Sequence, residues 1–124
     1  MYLVDTDVIS NARKRARANP GVRQFFRDAA PQGIPLFLSA VTIGELRQGV
    51  EAVRHRGDLA QATRLARWLG TITRDYADAI LPFHAENPLD KQIAATALMY
   101  NLTVVTRNVA HYEPTGVAVL NPFT

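Results

Sequence analysis

The sequence predicts an α/β domain with a central parallel sheet of four to five strands flanked by helices. Two observations predict it. Short apolar or β-branched runs at residues 2–4, 35–38, 79–83, 103–106 and 116–120 have the length and composition of buried strands. Between them stand longer stretches whose apolar residues repeat at helical spacing. Strands that alternate with helices favour parallel pairing, because each helix supplies a crossover and the helices then cover both faces of the sheet.

The first run, Tyr2-Leu3-Val4, ends in Asp5-Thr6-Asp7 and turns into a helix carrying Val8, Ile9 and Ala12. Asp5 therefore stands at the C-terminal end of a strand, where open α/β sheets bind ligands. Asp is also a preferred helix cap, so Asp5 and Asp7 have a purely local reading too. Asn19-Pro20-Gly21 marks a turn. Val22, Phe25, Phe26 and Ala29 then define a second helix, ended by Pro31-Gln32-Gly33. After the second strand, Thr42 reads as the start of a helix that buries Ile43, Leu46, Val50 and Val53. Thr42-Ile43-Gly44-Glu45 has the capping-box pattern, in which Glu45 reaches back to a backbone N–H. Gly57-Asp58 breaks this helix, and Asp58 caps the next, whose buried stripe is Leu65, Trp68, Leu69 and Ile72. Asn87-Pro88-Leu89-Asp90 reads as the cap, first-position Pro and first-turn acid of a helix through Ile93, Ala94, Ala97 and Leu98 to Asn101. Thr103-Val104-Val105-Thr106 is the clearest strand and breaks at Arg107-Asn108.

A chain of 124 residues fits one domain, here 1–124, around a single core. It has no Cys, which excludes a disulfide framework and Cys-ligated zinc and suits a reducing cytoplasm. No apolar run approaches the ~20 residues of a membrane span, and no basic region precedes the first apolar run. A cytoplasmic protein without membrane contact is expected. The net charge of +3 is local in origin: Arg13, Lys14, Arg15, Arg17, Arg23 and Arg27 all precede the next acid, Asp28. Such a run is either a solvated helix face or an edge that contacts phosphates.

Right-handed crossovers bring residues that follow parallel strands to one edge of the sheet. Asp5, Asp90 and Asn108 fall at such positions, and Glu45 can join them from its helix. Carboxylates facing one another repel, and a divalent cation relieves that repulsion. Oxygen ligands without Cys or a spaced His pair point to Mg²⁺ or Mn²⁺. Such an ion can activate water and stabilise the charge of an in-line attack on a phosphodiester. Each acid keeps a capping explanation beside this one.

Asp90-Lys91-Gln92-Ile93-Ala94-Ala95-Thr96-Ala97, followed by Thr103-Val104-Val105-Thr106-Arg107-Asn108, resembles a PIN domain. More narrowly, it resembles the VapC-like toxins of type II toxin–antitoxin pairs. Leu3-Val4-Asp5-Thr6-Asp7, Ser39-Ala40-Val41-Thr42-Ile43-Gly44-Glu45-Leu46 and the closing Gly116-Val117 to Asn121-Pro122-Phe123 match in order, so the resemblance spans nearly the whole chain. It implies a Mg²⁺-dependent endoribonuclease, with Mn²⁺ as a possible substitute, that forms a homodimer and is silenced by a cognate antitoxin. Its metal-binding acids carry over to Asp5, Glu45 and Asp90, with Asp5 and Asp90 as the main ligands. The family's fourth polar position falls on Asn108, where many members have an acid. His111-Tyr112 occupies a pair that is often Asp-Phe, so one metal is the safer expectation. Thr6 and Thr106 are candidate hydroxyl donors, and Arg47 and Arg107 candidate phosphate contacts.

Relatives typically carry a further helix before Asp90, where this chain has only His84-Ala85-Glu86-Asn87-Pro88-Leu89 after Phe83. Either the domain lacks that helix between Glu86 and Asn87, or a segment is missing from the chain there. The alternative function is therefore a weakened or inactive PIN module that binds RNA or an antitoxin. A nucleotide-binding or receiver-like domain ranks last: the first strand is followed by no Gly-rich phosphate loop, and Leu81-Pro82-Phe83 leads into His84 where a receiver needs Asp.

Overall fold

The computed structural model describes residues 1–81 and 89–124, apart from the side chains at 89–92, 95 and 99. Strands β1 (Tyr2–Val4), β2 (Leu36–Ser39), β3 (Ile80–Leu81), β4 (Thr103–Val105) and β5 (Val119–Leu120) form one parallel sheet in the order β3-β2-β1-β4-β5. The helices are α1 (Thr6–Ala12), α2 (Pro20–Ala29), α3 (Ala40–His55), α4 (Leu59–Asp75), α5 (Leu89–Tyr100) and α6 (Val109–Tyr112). The chain builds outward from β1 through β2 to β3, then returns to the other side of β1 for β4 and β5. The order therefore reverses between β1 and β4, with Leu3 opposite Val104 and Val4 opposite Val105. The carboxyl ends of two such strands open a crevice, the usual ligand position in an open α/β sheet.

Side chains alternate across each strand and so feed two cores. Leu3 and Val104 pack with Ile93, Ala94 and Ala97 of α5 and with Tyr112 of α6. Val4, Leu38 and Val105 pack on the other face with Val8, Val22, Leu46, Val50 and Leu69 of α1 to α4. Ala94 and Ala97, both buried, let α5 approach the sheet closely. Helix α5 ends at Tyr100, with Asn101 left-handed at φ 56. Leu102 N donates to Ala97 O (2.8 Å) and Asn101 N to Leu98 O (3.4 Å), the paired bonds of a Schellman stop.

The start of α3 corrects the sequence reading. Ser39, with extended backbone at φ −81 and ψ 147, is the cap, and its Oγ accepts from Val41 N at 3.1 Å. Thr42 is already the third residue of the helix, so no capping box forms at Thr42–Glu45 and Glu45 is released for other partners. The last strand is shorter than expected, because a 3₁₀ turn at Glu113–Thr115 and left-handed Gly116 (φ 76) come first. The expected cap at Asn87 and Pro88 lies outside the described residues. Among the described residues, no helix is long and apolar enough to cross a membrane.

Candidate active site

Asp5 leaves β1 at the sheet's reversal point and is only 8% exposed. It does cap α1, with Oδ1 accepting from Thr6 N at 2.7 Å. Capping uses one oxygen alone. Oδ2 accepts from Thr106 Oγ1 at 2.9 Å and from the Tyr112 hydroxyl at 3.0 Å, both buried groups. An ionised carboxylate has about four acceptor positions. The three described donors come from α1, the end of β4 and α6, fix the plane of the carboxylate, and leave one position open on Oδ1.

Glu45 joins through Thr6. Thr6 Oγ1 lies 3.1 Å from Glu45 Oε1 and 3.1 Å from Thr42 Oγ1, so adjacent residues Asp5 and Thr6 connect β1 to α3. A hydroxyl has one proton, and only the carboxylate lacks a proton of its own. Thr6 therefore orients Glu45 towards the crevice rather than leaving it on the solvent face of α3.

The turn after β4 closes the other side. Thr106 Oγ1 donates to Asp5 and accepts from Asn108 N at 3.0 Å. Asp7 Oδ2 accepts from Arg107 N at 3.0 Å and lies 3.5 Å from Thr106 Oγ1. Asp7 thereby ties α1 to this turn. Its Oδ1 is buried with no hydrogen-bond partner among the described residues. Burial, and secondarily the nearby Asp5 charge, raises the Asp7 carboxyl above its ordinary value. Asn108 is exposed at the start of α6, and its side chain makes no capping bond. The Arg107 guanidinium stacks 4.9 Å from the Phe123 ring centroid. Arg47 is exposed and lines a cavity between α3 and α4 with Glu51 and Arg54, outside the hydrogen-bonded cluster at Asp5.

Comparison with known proteins shows the family. The PIN domain family model matches residues 2–115. The chain belongs to the PIN-domain family. This PIN domain is 30% identical to plasmid stability protein StbB of Pseudomonas syringae pv. tomato, over 99% of both chains. It is 30% identical to VapC ribonuclease Y4jK of Sinorhizobium fredii, over 99% of this chain and 98% of that one. It is 32% identical to toxin FitB of Neisseria gonorrhoeae over 99% of both. The crystal structure of FitAcB from Neisseria gonorrhoeae superposes with a TM-score of 0.77 at 31% identity, covering 98% of both chains. The StbB alignment runs over 140 positions, so at least 16 of them have no counterpart among the 124 residues of this PIN domain.

The residues that would hold a cation in this PIN domain are oxygen donors throughout, a set that fits Mg²⁺ or Mn²⁺. The open Oδ1 position of Asp5 and the orphaned Oδ1 of Asp7 are acceptors that a cation would satisfy. Among the described residues, no three His, Cys, Asp or Glu side chains come together as a metal site. The side chain of Asp90, near the start of α5, lies outside the described residues. Sequence reasoning placed Asp5, Thr6, Glu45 and Thr106 in the site and assigned no site role to Thr42, Asp7 or Tyr112. The signal for Asp7 was its place in Asp5-Thr6-Asp7.

Proposed function

We propose that this PIN domain is a Mg²⁺-dependent endoribonuclease, the toxin of a toxin–antitoxin pair, with Mn²⁺ as a substitute cation. The observation that carries the reading is the buried Asp5, held by three donors at the sheet's reversal point with Glu45 one hydroxyl away. The relatives named VapC ribonuclease and toxin FitB support it. Asp5 and Asp90 would hold the cation, with Glu45 assisting. When bound, the cation supplies the positive charge that makes water a better nucleophile and phosphate a better electrophile. The chain's own groups do the rest. Thr6 and Thr106 orient Glu45 and Asp5. Asn108, neutral and exposed, orients water or a phosphate oxygen. Arg107 contacts the RNA backbone, as does Arg47 along α3.

The cognate antitoxin would silence the site by placing a basic side chain in the acidic crevice, a charge-assisted contact stronger there than in open water. A homodimer in the cytoplasm completes the reading. A second reading, an inactive module that binds RNA or antitoxin, is favoured by neutral Asn108 and by the 16 or more aligned positions without counterpart here.

The test is cleavage of RNA by the purified chain in Mg²⁺, in Mn²⁺ and in chelator, beside Asp5→Asn and Asp90→Asn. The nuclease reading expects cleavage only with the cation, reduced at least about a hundredfold in each variant, beyond the usual effect of losing a supporting group. Cation-independent cleavage, or full activity in both variants, refutes it. A folded wild-type chain that binds RNA without cutting it supports the second reading.

A further inference from the structure

Helix α1 starts in the site and ends at Ala12, roughly 10 Å away at about 1.5 Å per residue. Arg13 and Lys14 follow, then a 3₁₀ turn at Arg15–Arg17. Arg13, Lys14, Arg15 and Arg17, with Gln61 of α4, line a cavity of about 600 Å³ that has no acidic lining residue. Lys14, Arg15 and Arg17 are exposed. The ion pairs among the described residues are Arg54–Glu51 and Arg74–Asp75, so none of these four cations is in one. Arg64 donates to Gln61 Oε1 at 2.8 and 3.1 Å, leaving the Gln61 amide NH₂ to donate elsewhere. Asp58, the cap before α4, has its carboxylate engaged with Gln61 N.

Arg15 is left-handed at φ 53, a conformation that a non-glycine residue rarely adopts. It lines a second cavity, of about 380 Å³, with Ala12, Val22, Arg23, Phe26 and Arg27. The two cavities thus share Arg15 as a lining residue. Arg23 Nε is buried with no hydrogen-bond partner among the described residues. Arg27 is engaged with Gln24, which in turn donates to Asp28. Cations interleaved with an aromatic ring are the pattern of grooves that hold single-stranded nucleic acid. The cavities along α3 differ, since Glu51 lines them beside Arg54 and mixes the sign of charge.

We propose that the α1–α2 turn is an exosite for single-stranded RNA, in which Arg13, Lys14, Arg15 and Arg17 hold phosphates and Arg23 and Phe26 hold the neighbouring nucleotide. It rests on RNA as the ligand in the reading above, and names the surface that holds the strand beyond the point of cutting. The test is binding of a labelled single-stranded RNA oligonucleotide in chelator, where cation-dependent cutting is absent, as a function of salt. Arg13→Gln/Lys14→Gln/Arg15→Gln/Arg17→Gln is expected to weaken binding at low salt at least about tenfold. It should also flatten the logarithmic salt slope by about 0.7 for each phosphate that the variant no longer neutralises. A control carrying Arg54→Gln/Arg56→Gln/Arg67→Gln/Arg74→Gln removes the same charge elsewhere and is expected to keep the wild-type slope. Thermal melting of both variants checks that they fold. Wild-type affinity and slope in the α1–α2 variant overturn the proposal. So does unchanged RNA binding alongside abolished binding of a poly-glutamate peptide, which would make the occupant an acidic polypeptide. A chain that binds RNA through these cations yet never cuts it refutes the nuclease reading and supports the exosite.

Discussion

At the scale of single residues, the site is a problem of holding carboxylates still without neutralising them. Three described donors reach Asp5, and the least expected is Tyr112, buried at 2% exposure. Tyr112→Phe keeps the ring in the core and removes the hydroxyl that donates to Asp5. Groups that support a metal ligand typically change its affinity by about 10–100-fold. The half-saturating Mg²⁺ concentration for cleavage should rise by about tenfold in this variant, and an unchanged Mg²⁺ curve would show that Thr6 and Thr106 suffice. Asp7 is the reverse case. Its carboxyl is raised by burial and by Asp5, so the folded state disfavours the ionised form. The sign follows from linkage: stability is fully present below the ordinary value of 3.8 and is lost as pH rises through the raised one. Asp7→Asn keeps an oxygen for Arg107 N and removes the charge. In chelator at pH 7 it should melt a few degrees higher than wild type, with a flatter acid-side pH profile; a lower melting temperature would contradict this. The acids were legible as residue types at strand ends. The tyrosine was not, because a buried hydroxyl one helix away from Asp5 leaves no periodicity or spacing to read.

At the scale of elements, local signals were followed wherever strand ends and caps agree. The Asp58 cap of α4 is as the sequence suggests, with Asp58 accepting from Gln61 N at 3.1 Å, while the turn read at Asn19-Pro20-Gly21 is the start of α2, capped by Asn19, which accepts from Gly21 N at 2.9 Å. They fail at α3, where two cap candidates compete. Ser39 wins because β2 delivers it with extended backbone, and this frees Glu45 for Thr6. Ser39→Ala should destabilise the fold by about 1 kcal/mol, read by denaturant melts, and loosen the helix turn that presents Glu45. At the start of α2, Gly21 has no room for a side chain: a Cβ there would sit 1.9 Å from Pro122 O. Asn19 also binds Thr124, and Phe123 carries the Arg107 stack, so this segment couples α2 to the site's edge. Gly21→Ala should destabilise by about 1–3 kcal/mol. A neutral result would mean that residues 122–124 move aside freely.

At the scale of the whole molecule, the sheet order decides where chemistry can happen. Two parallel runs that diverge from β1 leave one crevice, and the first acid of the chain stands in it. Alternating apolar runs made the parallel α/β class legible, but the order β3-β2-β1-β4-β5 rests on pairings that short strands do not specify individually. In the nuclease reading the crevice takes its second acid from Asp90, and the StbB alignment leaves at least 16 positions without counterpart in this chain. In that reading Asp5 and Asp90 form one cation site. The direct measurement is Mn²⁺ binding by the purified chain, followed by electron paramagnetic resonance, in wild type, Asp5→Asn and Asp90→Asn. One saturable Mn²⁺ ion is expected, displaced by Mg²⁺ and weakened by both substitutions. Saturable binding that Asp90→Asn leaves untouched, or no saturable binding by a folded chain, would contradict it.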